Sequence, residues 1–415
     1  LYLLCTARNF SKEKLDIWPT LPIEVRFQWD RWWDKCDADN IVSGLERHER
    51  VRCISLINIF STLFERFNAA MQVPFPELTD LKLKLLHPSP LVPPGSFLGG
   101  SAPQLRSLEL YKVSFPEIHK LLLSASLLVQ LVLWDIPRSG YVSPEAMVTC
   151  LSSLTALESL RLGFRFPHPR PNQIAPPPLK RTVLPALTNL SFRGTSEYSE
   201  DFLARVDTAF LHELSIRFLI DPGSNISRLC EFINRAEGLN PLKQVNQAEV
   251  AFRTYSIQLQ LNQPGGPTLT ITCERQGRQV PLMAPVLICS QLSLFFSHVR
   301  RLDLIRGRPP KPGREDDTEP TQFLGLLQKF PAVQGLYVSD RLVPFITHAL
   351  QKLTDEGATE VLPELRNLFL EGLGFEPSGP VLELVMPFVA MRQLSGHPVT
   401  VHPWEGGKET GDHDA

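Results

Sequence analysis

The sequence predicts an α/β chain made by repeating one strand-and-connector unit, and three observations carry that prediction. The spacing L-x-x-L-x-L, with other apolar residues allowed, recurs in order along the 415 residues. It falls at Val51/Ile54/Leu56, Leu78/Leu81/Leu83, Leu105/Leu108/Leu110, Leu128/Leu131/Leu133, Leu157/Leu160/Leu162, Leu187/Leu190/Phe192 and Leu211/Leu214/Ile216, then at Val299/Leu302/Leu304, Val333/Leu336/Val338 and Leu365/Leu368/Leu370. Successive starts are 27, 27, 23, 29, 30 and 24 residues apart in the first run and 34 and 32 apart in the second. A leucine-rich repeat occupies roughly 20–29 residues. Finally, several connectors read as amphipathic helices. Alternating apolar residues turn one strand face inward, and strand, crossover and parallel strand form a right-handed unit that stacks on its neighbours. The expected fold is a leucine-rich-repeat solenoid, with parallel strands on the concave face, helices on the convex face and an inserted β-hairpin.

In chain order, residues 1–50 form an N-terminal capping segment, 51–404 the repeats and 405–415 a Gly-rich, polar tail expected to be disordered. Leu1-Tyr2-Leu3-Leu4 is apolar, short and without a basic flank. It reads as the tail of an element that starts upstream, not as a signal peptide, so the chain is expected to be a fragment. Trp29, Trp32 and Trp33 with Arg31 suit either a cap over the open end of the repeats or a binding knob. Ser143-Pro144-Glu145 opens a helix, and residues 201–206 and 321–327 belong to two more. The 88 residues from 211 to 299 leave room for two or three units, one carrying a degenerate strand at 249–252. Residues 256–261 and 268–273 alternate around Gln263-Pro264-Gly265-Gly266-Pro267, the pattern of the hairpin. Pro-rich connectors interrupt the array at 88–100, 167–178 and 307–320, the last holding Arg308, Lys311, Arg314 and Glu315-Asp316-Asp317. The Asn or Cys that usually follows the L-x-L core is missing, so the turns beyond the strands must differ from the standard repeat.

Composition narrows the function. A net charge of -2 with 21% charged residues gives no electrostatic reason to expect nucleic acid. The seven cysteines are odd in number and none forms a Cys-x-x-Cys pair, which speaks against a disulfide framework or zinc site and for a reducing, intracellular compartment, cytoplasmic or nuclear. Asn9, Asn189 and Asn225 head Asn-x-Ser triplets, read as accidental in such a compartment. No run of ~18 apolar residues suggests a membrane span. Phosphate-binding glycine loops, His-Glu-x-x-His and Gly-x-Ser-x-Gly are all absent from the sequence, so neither an enzyme nor a cofactor is expected. His397 and His402 lack further ligands at metal spacing, and Glu315-Asp316-Asp317 lacks the offsets of a calcium loop.

The text between the leucines carries a further likeness. Leu15-Asp16-Ile17-Trp18-Pro19-Thr20-Leu21-Pro22-Ile23, Ser96-Phe97-Leu98-Gly99-Gly100-Ser101-Ala102-Pro103, Leu121-Leu122-Leu123-Ser124-Ala125, Gly140-Tyr141-Val142-Ser143-Pro144-Glu145-Ala146-Met147 and Val183-Leu184-Pro185-Ala186-Leu187-Thr188 resemble the F-box proteins with leucine-rich repeats of mushroom-forming (basidiomycete) fungi. The resemblance covers about residues 1 to 404. It implies an F-box of about 40–50 residues before the region matching 1–22, docking on the Skp adaptor of a cullin–RING ubiquitin ligase, with the repeats recruiting the substrate protein. Leu21-Pro22-Ile23-Glu24 echoes an F-box start, yet Val25-Arg26-Phe27 reads as a strand. The chain is therefore expected to lack the F-box, and ligase docking stays an inference. The alternative is a stand-alone interaction scaffold with no ligase role.

A binding face follows from strand alternation. Residues between the strand leucines point away from the core, and across the units they include Lys82, Glu109, Trp134, Arg161, Arg193, Arg217, Asp303, Tyr337 and Phe369. Aromatics and arginines are the usual anchors of protein interfaces. Trp134, Arg161, Arg193 and Arg217 come from consecutive units and form either a partly basic stripe suited to an acidic segment or an ordinary solvated face.

Overall fold

A computed structural model describes residues 2–6, 17–18, 20–28, 37–87, 92–93, 95–166, 180–219, 226–275, 280, 283–306, 320–353, 360–372 and 380–405. The tryptophans at 29, 32 and 33, the triplets at Asn9 and Asn225, Glu315-Asp316-Asp317, most of the three Pro-rich connectors and the tail after 405 lie outside the described residues. The chain is a mixed α/β protein with a large, mostly parallel sheet. It divides into two compact units: Leu1–Leu214 with Glu231–Gly238, and Ser215–Cys230 with Leu239–Ala415.

The first unit holds a parallel ladder. Strands β1 (Leu3–Thr6), β2 (Ile23–Gln28), β3 (Val51–Ile59), β4 (Asp80–Leu85), β5 (Ser107–Tyr111), β6 (Gln130–Ile136) and β7 (Ser159–Phe164) pair in chain order. β8 (Thr182–Val183) leaves the ladder and β7 pairs with β9 (Asn189–Gly194) instead. The ladder thus begins before the first motif, because residues 3–6 and 23–28, placed in a cap by sequence, are already strands. Pro144–Leu151 is a helix whose first turn is capped by the Ser143 hydroxyl, which accepts from the Ala146 N–H at 3.2 Å. The helix expected over 201–206 is Ser196–Ala204, and Val206 belongs to the short strand β10 (Val206–Asp207) beside β8. β11 (Glu213–Phe218) crosses the boundary between the units.

The second unit contains β12 (Gln247–Phe252), β13 (Ser256–Asn262), β14 (Thr268–Glu274), β15 (Arg301–Arg306), β16 (Gly335–Val338), β17 (Asn367–Glu371) and β18 (Thr400–Trp404). β13 and β14 form the hairpin, turned by Gly265 at φ +70 and closed by the Gly266 N–H on the Gln263 carbonyl at 2.8 Å. β13 also runs antiparallel to β12, while β12, β15, β16, β17 and β18 are mutually parallel in that order. Helices Met283–Gln291, Pro320–Leu327, Val343–Gln351 and Pro380–Leu394 fill the connectors.

One local geometry generates both ladders. The motif residues all point to the covered side of the sheet, and none is more than 4% exposed. Each buried leucine contributes about 1.5–3 kcal/mol relative to an exposed one. The first motif residue closes a turn: the N–H groups of Leu78, Leu105, Leu128, Leu157, Leu187, Val299, Val333 and Leu365 donate to the carbonyl three residues back. A single carbonyl then accepts two amides from the next unit. Thr79 O takes Arg106 and Ser107, Arg106 O takes Val129 and Gln130, Val129 O takes Glu158 and Ser159, and Glu158 O takes Thr188 and Asn189. Asn246 O, Arg300 O and Gln334 O do the same in the second unit. The strand starts are thereby locked in register whatever the connector length.

The cores differ in filling. In the first unit Tyr198 packs on Phe164 at 4.6 Å and on Phe192 at 5.5 Å, its hydroxyl donating to Val142 O at 3.0 Å. In the second unit Phe296 meets Phe330 at 4.8 Å, and the fully buried Arg392 donates to the carbonyls of Leu362, Pro363 and Leu365 at 3.3, 3.1 and 3.2 Å. Those contacts hold a turn in which Leu362 adopts φ +52.

Candidate functional site

With the leucine side covered, chemistry is carried by the other sheet face, and each unit builds it differently. In the first unit the register aligns the residues between the leucines into a row: Arg26, Ser55, Lys82, Glu109, Val132, Arg161 and Ser191. Lys82 and Glu109 stand in it as expected. Trp134 and Arg193 lie on the same face but one row further along, with Lys84 and Tyr111, because Val132 and Ser191 occupy the place between the leucines. Arg217, in the second unit, likewise follows Ile216, and Ser215 holds the inner place.

Much of this face is internally paired. Lys82 meets Glu109 at 2.9 Å, Arg26 meets Glu24 at 2.5 Å, Arg193 meets Asp135 at 2.6 Å and Arg217 meets Glu274 at 3.8 Å. The four-residue basic stripe is therefore reduced, since two of its arginines already have carboxylates. Asp135 adopts φ +54 two residues after Leu133, and Asn58, Lys112 and Gly372 adopt positive φ two residues after Leu56, Leu110 and Leu370. This left-handed residue at the strand end is the turn that replaces the missing Asn or Cys. A groove of about 480 Å³ crosses β2–β5, lined among others by Glu24, Arg26, Cys53, Lys82 and Glu109. Burial, with Glu24 and Asp80 adding, pushes the Cys53 thiol up to about 12, so it stays protonated at neutral pH.

Two rings break the polar pattern. Tyr111 lies under the ammonium groups of Lys84 and Lys82 at 5.8 and 5.9 Å, and the Arg161 guanidinium stands 5.0 Å from the Trp134 ring. Gly163 makes room for the indole: a Cβ there would come within 2.5 Å of Trp134 Cε3.

In the second unit the parallel register stacks side chains from successive strands. Tyr337 and Phe369 are stacked at 4.2 Å and 4°, and His402 lies on Phe369 at 5.0 Å and 25°. Trp404 meets Tyr337 edge-on at 5.6 Å. The Arg301 guanidinium lies 3.9 Å over Tyr337, held by its Nε–H on Asp303 Oδ1 at 2.9 Å. Asp303 is only 5% exposed, and its other oxygen accepts from Gln247 Nε2 at 2.9 Å. His402 Nε2 lies 3.2 Å from Asn367 Oδ1 and 3.0 Å from Thr400 Oγ1. Glu249 stands opposite Asp303 in register, and desolvation, then Asp303, raises its carboxyl above the usual range.

The stacking axis runs from strand to strand, so the ring faces cover each other and their edges remain partly exposed. Sequence reasoning named Asp303, Tyr337 and Phe369 here and missed Arg301, His402 and Trp404. His402 and Trp404 had a trace: Pro398/Val401/Pro403 continues the motif 33 residues after Leu365, with two prolines in place of Leu, Ile, Val or Phe. Among the described residues no group of three or more His, Cys, Asp or Glu side chains is placed to hold a metal, and no helix is long and apolar enough to cross a membrane. Searched against protein-family models and curated proteins, the chain finds no match.

Proposed function

We propose that the chain is a leucine-rich-repeat solenoid whose exposed strand face binds another protein, and that it supplies the substrate-recognition repeats of an F-box receptor for a cullin–RING ubiquitin ligase. The observation that carries the binding role is the wall formed by Arg301, Tyr337, Phe369, His402 and Trp404. A row of half-exposed aromatics contributes little to folding beyond its own contacts, yet it offers large, already immobilised anchors to a partner. Little side-chain entropy is lost when such groups bind. The geometry shared by both ladders supports the repeat architecture. The ligase role rests on the resemblance of the inter-leucine segments to basidiomycete F-box proteins.

Two measurements test this reading. Proteins co-purifying with the tagged chain are quantified by mass spectrometry, for wild type and for a Phe369→Ala/Trp404→Ala variant of matched thermal stability. The binding role expects partners that are lost from the variant; retention of every partner would reject it. The protein encoded by the complete transcript is then probed for the Skp adaptor. Co-purification supports the receptor, whereas partner loss on the variant without Skp favours the stand-alone scaffold.

A further inference from the structure

The wall in the second unit leaves a different patch in the first unit unexplained. On the face of β4 to β7, two rings stand between two cations: Lys84 beside Tyr111, and Arg161 against Trp134. All four are at least partly exposed. Among the described residues neither Lys84 nor Arg161 has a carboxylate partner at ion-pair distance, unlike Lys82 and Arg193 beside them. Glu109, on the strand between them, is itself engaged: it accepts from the Tyr111 hydroxyl at 3.3 Å and pairs with Lys82.

From this we infer a docking site for an acidic protein segment, in which Lys84 and Arg161 each receive a carboxylate and Tyr111 and Trp134 take an apolar side chain between them. The inference rests on the reading of this face as protein-binding and specifies the partner's chemistry. Charge complementarity selects the occupant: the two cations without partners flank the rings, and the rings hold them in place without neutralising them. Geometry sets the spacing. β4 and β7 are separated by three strand intervals, about 14 Å, and Arg161 sits one row, about 7 Å, away from the Lys84 row, so the cations stand about 16 Å apart, and an extended chain advances about 3.3 Å per residue. The two acidic residues should therefore lie about five positions apart, with an apolar or aromatic residue between.

The experiment is selection of a phage-displayed library of random dodecapeptides on the whole chain. Wild type, Lys84→Gln, Arg161→Gln, Trp134→Ala and Phe369→Ala are run in parallel, with thermal unfolding as the folding control. The expected result is enrichment of peptides with two Asp or Glu residues about four to six positions apart around an apolar residue. Their recovery should fall about tenfold on Lys84→Gln or Arg161→Gln, fall on Trp134→Ala and stay unchanged on Phe369→Ala. Enriched peptides without paired acids, equal recovery on the Gln variants, or no enrichment at all overturns the inference. Enrichment of non-acidic peptides that require Phe369 would overturn it while leaving the protein-binding reading intact. A single-stranded oligonucleotide that displaces the peptides from wild type with higher affinity, and loses that affinity on the Gln variants, also overturns it.

Discussion

The open faces of the two units are built on ladders of the same local geometry, yet they are filled in opposite ways. Along β2–β7 the row between the leucines is mostly polar and partly satisfied by short ion pairs such as Lys82–Glu109, while Arg161 in that row has no carboxylate and stands against the Trp134 ring of the next row. Along β16–β18 that row is Tyr337, Phe369 and His402, and each ring rests on its neighbour. In-register parallel strands bring equivalent positions side by side, so the choice of residue at one position is amplified along the array. Alternating charge gives a face that pairs with itself. Repeated rings give a wall whose polar needs are met at one end, by Asp303 and Gln247.

The largest test of this contrast separates the two sides of one strand. Leu368→Ala, at a fully buried position, should lower unfolding free energy by about 2–5 kcal/mol in denaturant titration. Phe369→Ala next to it should cost much less. Equal costs would make the wall a structural element instead of an available surface.

A smaller effect probes the wall itself. The double-mutant cycle of Tyr337→Ala and Phe369→Ala should show a coupling of about 0.5–1.5 kcal/mol, the range for a stacked aromatic pair. A coupling near zero would mean the rings are independent. In the first unit, Asp135→Asn keeps a residue suited to φ +54 but removes the charge facing Arg193. It should cost about 1 kcal/mol or less, and the loss should shrink in high salt, as measured by urea unfolding.

The subtlest expected difference is a pH dependence. The Glu249 carboxyl is raised in the folded state by desolvation and by Asp303. The folded protein therefore holds that proton more tightly, and ionised Glu249 destabilises it progressively as pH rises from the unfolded carboxylate value through the raised one. Glu249→Gln should thus raise Tm at neutral pH, with the gain fading below about pH 4, and paired thermal scans would show it.

The buried half of the molecule was legible because every motif residue faces the same way and is selected for one property. Val51 through Leu370 could be read by period alone. β12 was harder: Val245/Ala248/Val250 keeps the spacing, but Ala248 hides it. β18 was hidden by Pro398 and Pro403. The open face was less legible because its pairs come from different strands. Nothing local in Arg193 announces Asp135, fifty-eight positions away, and nothing in Gly163 announces the indole above it. Counting from the leucines found the face, but the row of Trp134 and Arg193 depends on register.

The carbonyls that each accept two amides from the following unit have an evolutionary corollary. Each of these junctions presents the same acceptor and demands the same donors, so a whole unit bounded by two of them can be duplicated or excised without leaving an orphaned backbone group. A partial unit cannot. Gene segments encoding such an array can lengthen or shorten by unequal exchange while each product still closes its hydrogen bonds. Only the outward-facing residues then need to diverge for the open face to change its chemistry.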